Sequence, residues 1–219
     1  LAHVEGGEIS GSIDESVRHA ITKLAHLHFP ATRNAANRIV RMGEHPEVDL
    51  DVVCKSIDLI VFIDLPDGKA LEQLQDYFRV AEFLHFAKPY LVVIQHPVTT
   101  EYEGNLAHVT ETLEAINSMG VQAAWIWPNM DAGSDGISKG IRVFREMHNP
   151  KHIRFFKSLS LDFYAPLLNG ARCIVGNSSS GIREAAFLGV PAVNIGSRQQ
   201  GRERGPNVLD VGYDRGQII

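Results

Sequence analysis

Between His3 and His19 the sequence reads His-Val-Glu-Gly-Gly-Glu-Ile-Ser-Gly-Ser-Ile-Asp-Glu-Ser-Val-Arg-His. Carboxylates, an arginine and glycines are crowded between two histidines. Glycines let a backbone turn tightly and approach a ligand closely. Glu5 and Asp14 could exchange protons with a substrate. Asp14 and Arg18 are spaced one helical turn apart, on a face bordering the apolar positions Val17, Ile21, Leu24 and His28. Glu15, His19, Thr22 and Lys23 point the other way. By residue type alone, the plainer reading of Asp14 and Arg18 is an i,i+4 ion pair worth a few tenths of a kcal/mol.

Further along, His96 follows an apolar run and precedes Pro97. A histidine there can trade protons near neutral pH, or be a satisfied structural side chain. Asn129 and Asp131 could line the same edge or make an Asx turn. Gly176-Asn177-Ser178-Ser179-Ser180-Gly181 offers hydroxyls and backbone N–H groups ahead of a helix, a ready phosphate site or a polar cap. Glu184 could accept hydrogen bonds from ribose hydroxyls or simply favour a first helical turn. Arg198, Arg202 and Arg204 share a loop and carry forks suited to phosphate oxygens, although such charge runs are commonly solvated. Glu8, His19 and Glu101 rank lower.

These residues need elements to hold them. Leu1–Val4 reads as the tail of a strand and Gly6–Gly11 as a loop. Ser12 with Glu15 forms a capping box that predicts a helix running to about His28. A second helix is predicted over about Asn34–Met42. Val52–Val53 reads as a short strand, Ile57–Ile63 as strand or helix, Pro66-Asp67-Gly68 as a turn and Ala70–Phe86 as a helix. From Pro89 the rhythm changes. Strands are predicted at Tyr90–Ile94, Val121–Trp127, Ile153–Phe156, Cys173–Val175 and Val190–Ile195. Helices are predicted at about Gly104–Met119, Ile137–Met147, Phe163–Leu168 and Ile182–Leu188. Ser197–Pro206 is a polar loop. Strand, loop and helix alternate, which predicts a parallel sheet clothed on both faces. Ligands then bind beyond the carboxyl ends of the strands, so the loops at Glu5, His96, Asn129 and Gly176 should open onto one edge.

Composition bounds the possibilities. The 219 residues are 44% hydrophobic and 21% charged, enough to build a core. A net charge of −5 and a pI near 6.1 argue against a nucleic-acid surface. The greasiest stretch, Ile57–Leu65, is interrupted by Asp58 and Asp64, so no membrane partner is expected. Cys54 and Cys173 fit neither a disulfide framework nor a zinc site, which suggests a reducing, cytoplasmic setting. The chain begins with Leu1 rather than Met and reads as a fragment.

Together the motifs resemble a known family, the hydrolysing UDP-N-acetylglucosamine 2-epimerases of sialic-acid and nonulosonate synthesis. The resemblance rests on His3–Glu8, Gly11–Asp14 with Arg18–His26, Gln95–Thr99, Pro128–Gly133, Gly176–Glu184 and Arg198-Gln199 with Gly201-Arg202-Glu203. It implies an α/β fold of two Rossmann-like domains in the glycosyltransferase-B arrangement, the first one incomplete. Residues 1–88 would be the remainder of the N-terminal domain and residues 89–219 the nucleotide-binding domain. It implies elimination of UDP across C1–C2 to a 2-acetamidoglucal, then hydration to N-acetylmannosamine. Residue by residue, Glu5 and Asp14 match acid–base carboxylates, and Arg18 matches the arginine one turn on. His96 matches a catalytic histidine near the leaving diphosphate. Ser178, Ser179, Gly181 and Glu184 match the nucleotide loop, Arg198 a diphosphate or uridine contact, and Asn129 a weaker binding position. The resemblance implies no cofactor, no metal, a nucleotide-sugar substrate (UDP-linked) and a homo-oligomer, dimer or tetramer. It also implies departures. The family's first strand, first phosphate loop and a further catalytic aspartate would precede Leu1. A C-terminal helix would follow Ile219. Val53-Cys54-Lys55-Ser56 stands where the family has Gly-Cys-Pro-Ser. The alternatives are a glycosyltransferase of the same fold and a nucleotide-sugar-binding fragment without catalysis.

Overall fold

The computed structural model describes residues 1–11, 13–44 and 85–219. The strand, turn and helix expected between Val52 and Phe86 fall outside the described residues up to residue 84, as does Ser12; His85 and Phe86, the expected end of that helix, are not helical.

Tyr90–Ile94 is buried at every position, as expected of a strand covered on both faces. Because side chains alternate along a strand, this one (β3) feeds two cores at once. Leu91 and Val93 join one apolar cluster; Tyr90, Val92 and Ile94 join the other. Its neighbours are β4 (Gln122–Ile126), β5 (Ile153–Phe156), β6 (Cys173–Gly176), β7 (Ala192–Ile195) and β8 (Val208–Val211). The order is β5-β4-β3-β6-β7-β8 and every pairing is parallel. That is the doubly wound order in which successive strands go one way and then, from β3 to β6, the other. The reversal opens a crevice between the carboxyl ends of β3 and β6.

Helices α3 (Asn105–Met119) and α4 (Ser134–His148) clothe one face. Leu113 and Ile116 from α3 and Ile137, Ile141 and Phe144 from α4 meet Trp125 there. Each such burial contributes roughly 1.5–3 kcal/mol. Helices α5 (Leu161–Asn169) and α6 (Glu184–Leu188) bring Leu167, Leu168 and Ala185 to the other face. Tyr90 Oη, deep in that face, donates to the Leu167 carbonyl at 2.8 Å. Gly120 and Gly189 end α3 and α6 in the left-handed conformation. Two elements of this part of the chain were not foreseen, β8 and the short α7 (Arg215–Ile218).

The first part of the chain forms a smaller parallel pair, β1 (Ala2–Val4) with β2 (Leu27–Phe29). Between them runs α1 (Asp14–Leu24); α2 (Arg33–Arg41) follows, capped by Thr32 Oγ1 accepting from the Ala35 N–H at 3.1 Å. Two expectations are corrected here. The first helix stops at Leu24 rather than near His28, because Ala25 turns extended and the chain joins β1 instead. The Leu1 carbonyl accepts from the N–H groups of His26 and Leu27. The line of α1 that faces inward is not the apolar stripe. Val17 is 55% exposed and Leu24 70%, whereas Thr22 is buried. Thr22 Oγ1 donates to the Arg18 carbonyl and sits 3.0 Å from His3 Nδ1. Polar partners on the loop side therefore set the roll of α1.

Candidate functional site

The crevice between β3 and β6 is closed by a pair of residues that bind each other's backbones. Asn177 is fully buried; its Oδ1 accepts from the His96 N–H at 2.7 Å and its Nδ2 donates to the His96 carbonyl at 2.9 Å. Gly176 lets the two strands approach this closely. Its φ is +132°, and a Cβ there would lie 2.0 Å from the Ile94 carbonyl oxygen. His96 is thus fixed at the strand end through its own main chain.

Its ring is fixed as well. The Asn129 N–H, from the loop after β4, donates to His96 Nδ1 at 3.2 Å. Nδ1 is then the acceptor nitrogen and Nε2 carries the proton of the neutral ring. Burial first, and then the Arg198 guanidinium, push the His96 pKa down to about 4, against the opposing pull of Asp131 and Asn129. Asn129 Nδ2 donates to Asp131 Oδ2 at 2.6 Å, and Asp131 in turn stands 3.6 Å from an Arg198 nitrogen. Arg198 and Gln199 both donate to the Asn177 carbonyl, at 3.4 and 2.8 Å. Strand ends β3, β4, β6 and β7 therefore supply one continuous network, as their shared edge requires.

The serine loop follows directly. Ser178 Oγ accepts from the Ser180 N–H at 3.3 Å and caps the 3-10 turn Ser179–Gly181. The Gly181 N–H donates to the Ser178 carbonyl. Tyr164 Oη is bonded to Ser180 Oγ, and burial raises the tyrosine pKa. Glu184 opens α6, and its Oε2 is buried with no hydrogen-bond partner among the described residues. A buried carboxylate oxygen left open is an acceptor waiting for a hydroxyl or an amine.

The run from Glu5 to Arg18 comes to this same edge. The Gly11 N–H donates to the Arg198 carbonyl at 3.1 Å, and a Cβ at Gly11 would strike the Ser197 carbonyl. Thr100 Oγ1 donates to the Gly11 carbonyl and Thr99 Oγ1 accepts from the Ile13 N–H. Glu5 holds a left-handed backbone, φ +60°, uncommon for a side-chain-bearing residue and frequent at functional sites. Glu15 Oε2 reaches back to the Ser10 N–H at 3.0 Å, and α1 begins at Asp14. Asp14 is exposed, yet its charge acts on Arg198, as the charges of Arg18 and Glu5 act on Arg202. Arg18 Nη1 donates to the Glu8 carbonyl at 3.2 Å.

The structure also brings forward residues that sequence reasoning undervalued. Glu8, ranked low, is a buried carboxylate that binds Arg183 and stands 3.4 Å from Arg202 Nε. In the sequence Asn177 and Gln199 stand out only as parts of motifs; their burial, which no local pattern shows, is what marks them. Burial first and then Arg183, Arg18 and Arg198 hold the Arg202 pKa down to about 10. Among the described residues no group of three or more His, Cys, Asp or Glu side chains is arranged to hold a metal. Nor is any described helix long and apolar enough to cross a membrane.

A family model described as UDP-N-acetylglucosamine 2-epimerase matches residues 1–219. The chain is 33% identical over 219 residues to a UDP-N-acetylglucosamine 2-epimerase of Neisseria meningitidis, covering all of this chain and 55% of that protein. It is 35% identical over 211 residues to a hydrolysing UDP-N,N'-diacetylbacillosamine 2-epimerase of Legionella pneumophila, covering 96% of this chain and 53% of the relative. Among solved structures, the Neisseria meningitidis UDP-GlcNAc 2-epimerase bound to UDP-GlcNAc superposes with a TM-score of 0.75 at 13% identity, over 100% of this chain and 59% of that one. The Methanocaldococcus jannaschii enzyme in complex with UDP-GlcNAc and UDP gives 0.73 at 17% identity, over 100% of this chain and 60% of that one. The chain therefore spans about half the length of the curated relatives it matches.

Proposed function

The chain belongs to the UDP-N-acetylglucosamine 2-epimerase family, and from that premise we propose that it forms the nucleotide-sugar site of a hydrolysing 2-epimerase. The fold is the glycosyltransferase-B type of these epimerases, with one Rossmann-like half built on the six-stranded sheet. We assign residues 1–88 to the remainder of the N-terminal domain and residues 89–219 to the nucleotide-binding domain.

In this reading a base removes the proton at C2 of the sugar while the C1–oxygen bond to UDP breaks. The electron pair of the C2–H bond forms the C1–C2 double bond of a 2-acetamidoglucal. Water then returns a proton to C2 and a hydroxyl to C1, giving the 2-epimeric sugar. Glu5 and Asp14 serve as the acid–base carboxylates, with Arg18 beside them. His96, neutral and presenting Nε2–H, meets the leaving diphosphate with Arg198, where charge develops in the transition state. Ser178, Ser179 and Gly181 cradle phosphate, Asn129 orients His96, and Glu184 accepts from the ribose. The observation that carries the reading is the single network joining His96, Asn177, Asn129 and Arg198 at the topological switch point. Substrate identity within the class is open to UDP-GlcNAc, GDP-GlcNAc and a 4-amino-modified sugar nucleotide, because relatives at 28–35% identity carry names from more than one of these.

A product assay on the full natural chain tests this. Each sugar nucleotide is supplied in deuterated water, and release of nucleoside diphosphate plus the 2-epimeric sugar with deuterium at C2 is expected. Release of neither from any of the three sinks the reading. A second reading, nucleotide-sugar binding without turnover, rests on the serine loop and the buried, open Glu184 Oε2, which could hold a nucleotide without any proton transfer. Calorimetric binding of UDP with no product would select it.

A further inference from the structure

Glu8 sits where three parts of the chain meet. It lies in the loop after β1 and is 6% exposed. One carboxylate oxygen binds Arg183, which precedes α6 at the end of the serine loop; the other faces Arg202, in the loop after β7. Its carbonyl accepts from Arg18 on α1. Three guanidiniums thus converge on one residue, and each comes from a segment the site already uses. Four arginine charges crowd this region, since Arg198 also acts on Arg202. Like charges so close would splay their side chains apart without an anion between them. A buried carboxylate is costly to desolvate and is kept only where it is well paired.

We propose, resting on the nucleotide-sugar reading above, that Glu8 is a positioning residue that aims Arg183 and Arg202 into the nucleotide-sugar site. It ties the loop after β1 to the serine loop and the arginine loop, so two further forks beside Arg198 are held in place before the leaving group departs. Glu8 also competes with a diphosphate for the same forks. Its removal therefore frees positive charge for ground-state binding while loosening the geometry that the transition state needs. A misplacement of about 1 Å at such a site costs on the order of 100-fold in rate.

The test is steady-state kinetics on the full natural chain with Glu8→Gln, Glu8→Asp, Arg202→Gln and the Glu8→Gln/Arg202→Gln double variant, with thermal melts alongside. Glu8→Gln is expected to lower kcat roughly 10–100-fold, with KM and the calorimetric UDP Kd unchanged or tighter. Glu8→Asp, which keeps the charge, is expected to retain more kcat than Glu8→Gln. The double variant is expected to be no slower than Arg202→Gln alone. Unchanged kcat in Glu8→Gln, a loss carried wholly by KM, or additive losses in the double variant would each overturn the assignment. Should Glu8→Gln fail to fold, Arg202→Gln carries the test: a lowered kcat at unchanged KM is expected, and an unchanged kcat would overturn the assignment. A wild-type chain that turns over no sugar nucleotide defeats the epimerase reading; an active wild type with a fully active Glu8→Gln defeats only this role for Glu8.

Discussion

His96 is held neutral, and that has consequences at two levels. Its pKa in the fold, about 4, lies below the ordinary histidine value of 6.5. A depressed histidine pKa means the unfolded chain binds more protons between those values. The neutral ring's contribution to stability is therefore complete above about pH 6.5 and is lost as pH falls toward 4, in total on the order of 1–3 kcal/mol. A ring-proton titration followed by NMR should place the His96 midpoint near 4; a midpoint near 6.5 would contradict the burial argument. His96→Gln should lower turnover by roughly 10²–10³-fold, as loss of a preorganised donor to developing negative charge does, measured in the same product assay. Histidine 96 was legible in the sequence because it directly follows a strand and precedes proline. Glu8 was misjudged because its neighbours, Arg183 and Arg202, lie far away in sequence.

At the scale of elements, the join between β3 and β6 is the fragile point. Gly176→Ala would put a Cβ against the Ile94 carbonyl in a backbone region that disfavours side chains. It should cost about 3 kcal/mol, read as a drop of about 1–2 M in the urea midpoint. Asn177→Ala would strip partners from both the N–H and the carbonyl of His96, at about 1–3 kcal/mol per orphaned group. A midpoint shift under 0.5 kcal/mol equivalent would show the pair to be dispensable. Strands β3 to β7 were legible within a residue or two, since each is a short, largely apolar run set between turn residues. The end of α1 was not. Val17, Ile21, Leu24 and His28 keep helical spacing, but pairing with β1 at Leu1 pulls the chain straight at Ala25. Strand β8 was missed because its burial is only partial, so it lacks the apolar run that betrayed the others.

For the molecule as a whole, binding should be visible as stability. UDP at about 100 times its Kd adds about 2.7 kcal/mol to the folded state, provided the unfolded chain does not bind it. For a chain of this size that is a rise in Tm of roughly 5–10 °C. A concentration series of UDP in thermal melts measures it, and a flat Tm at millimolar UDP would contradict a nucleotide site here. The six-stranded order β5-β4-β3-β6-β7-β8 dictates where that ligand goes, because only at the β3–β6 reversal do successive crossovers diverge.

The sequence by itself determined the class of fold, the alternation of elements, the family and the identity of the residues at strand ends. These follow from local period, turn chemistry and motifs in fixed order, all of which are short-range or positional. Only the tertiary structure decided which of those residues touch. It set the roll of α1, chose Asn177 as the clasp on His96, and buried Glu8 among arginines drawn from three distant segments. Burial and charge pairing depend on separations in space rather than along the chain, and no local pattern encodes them.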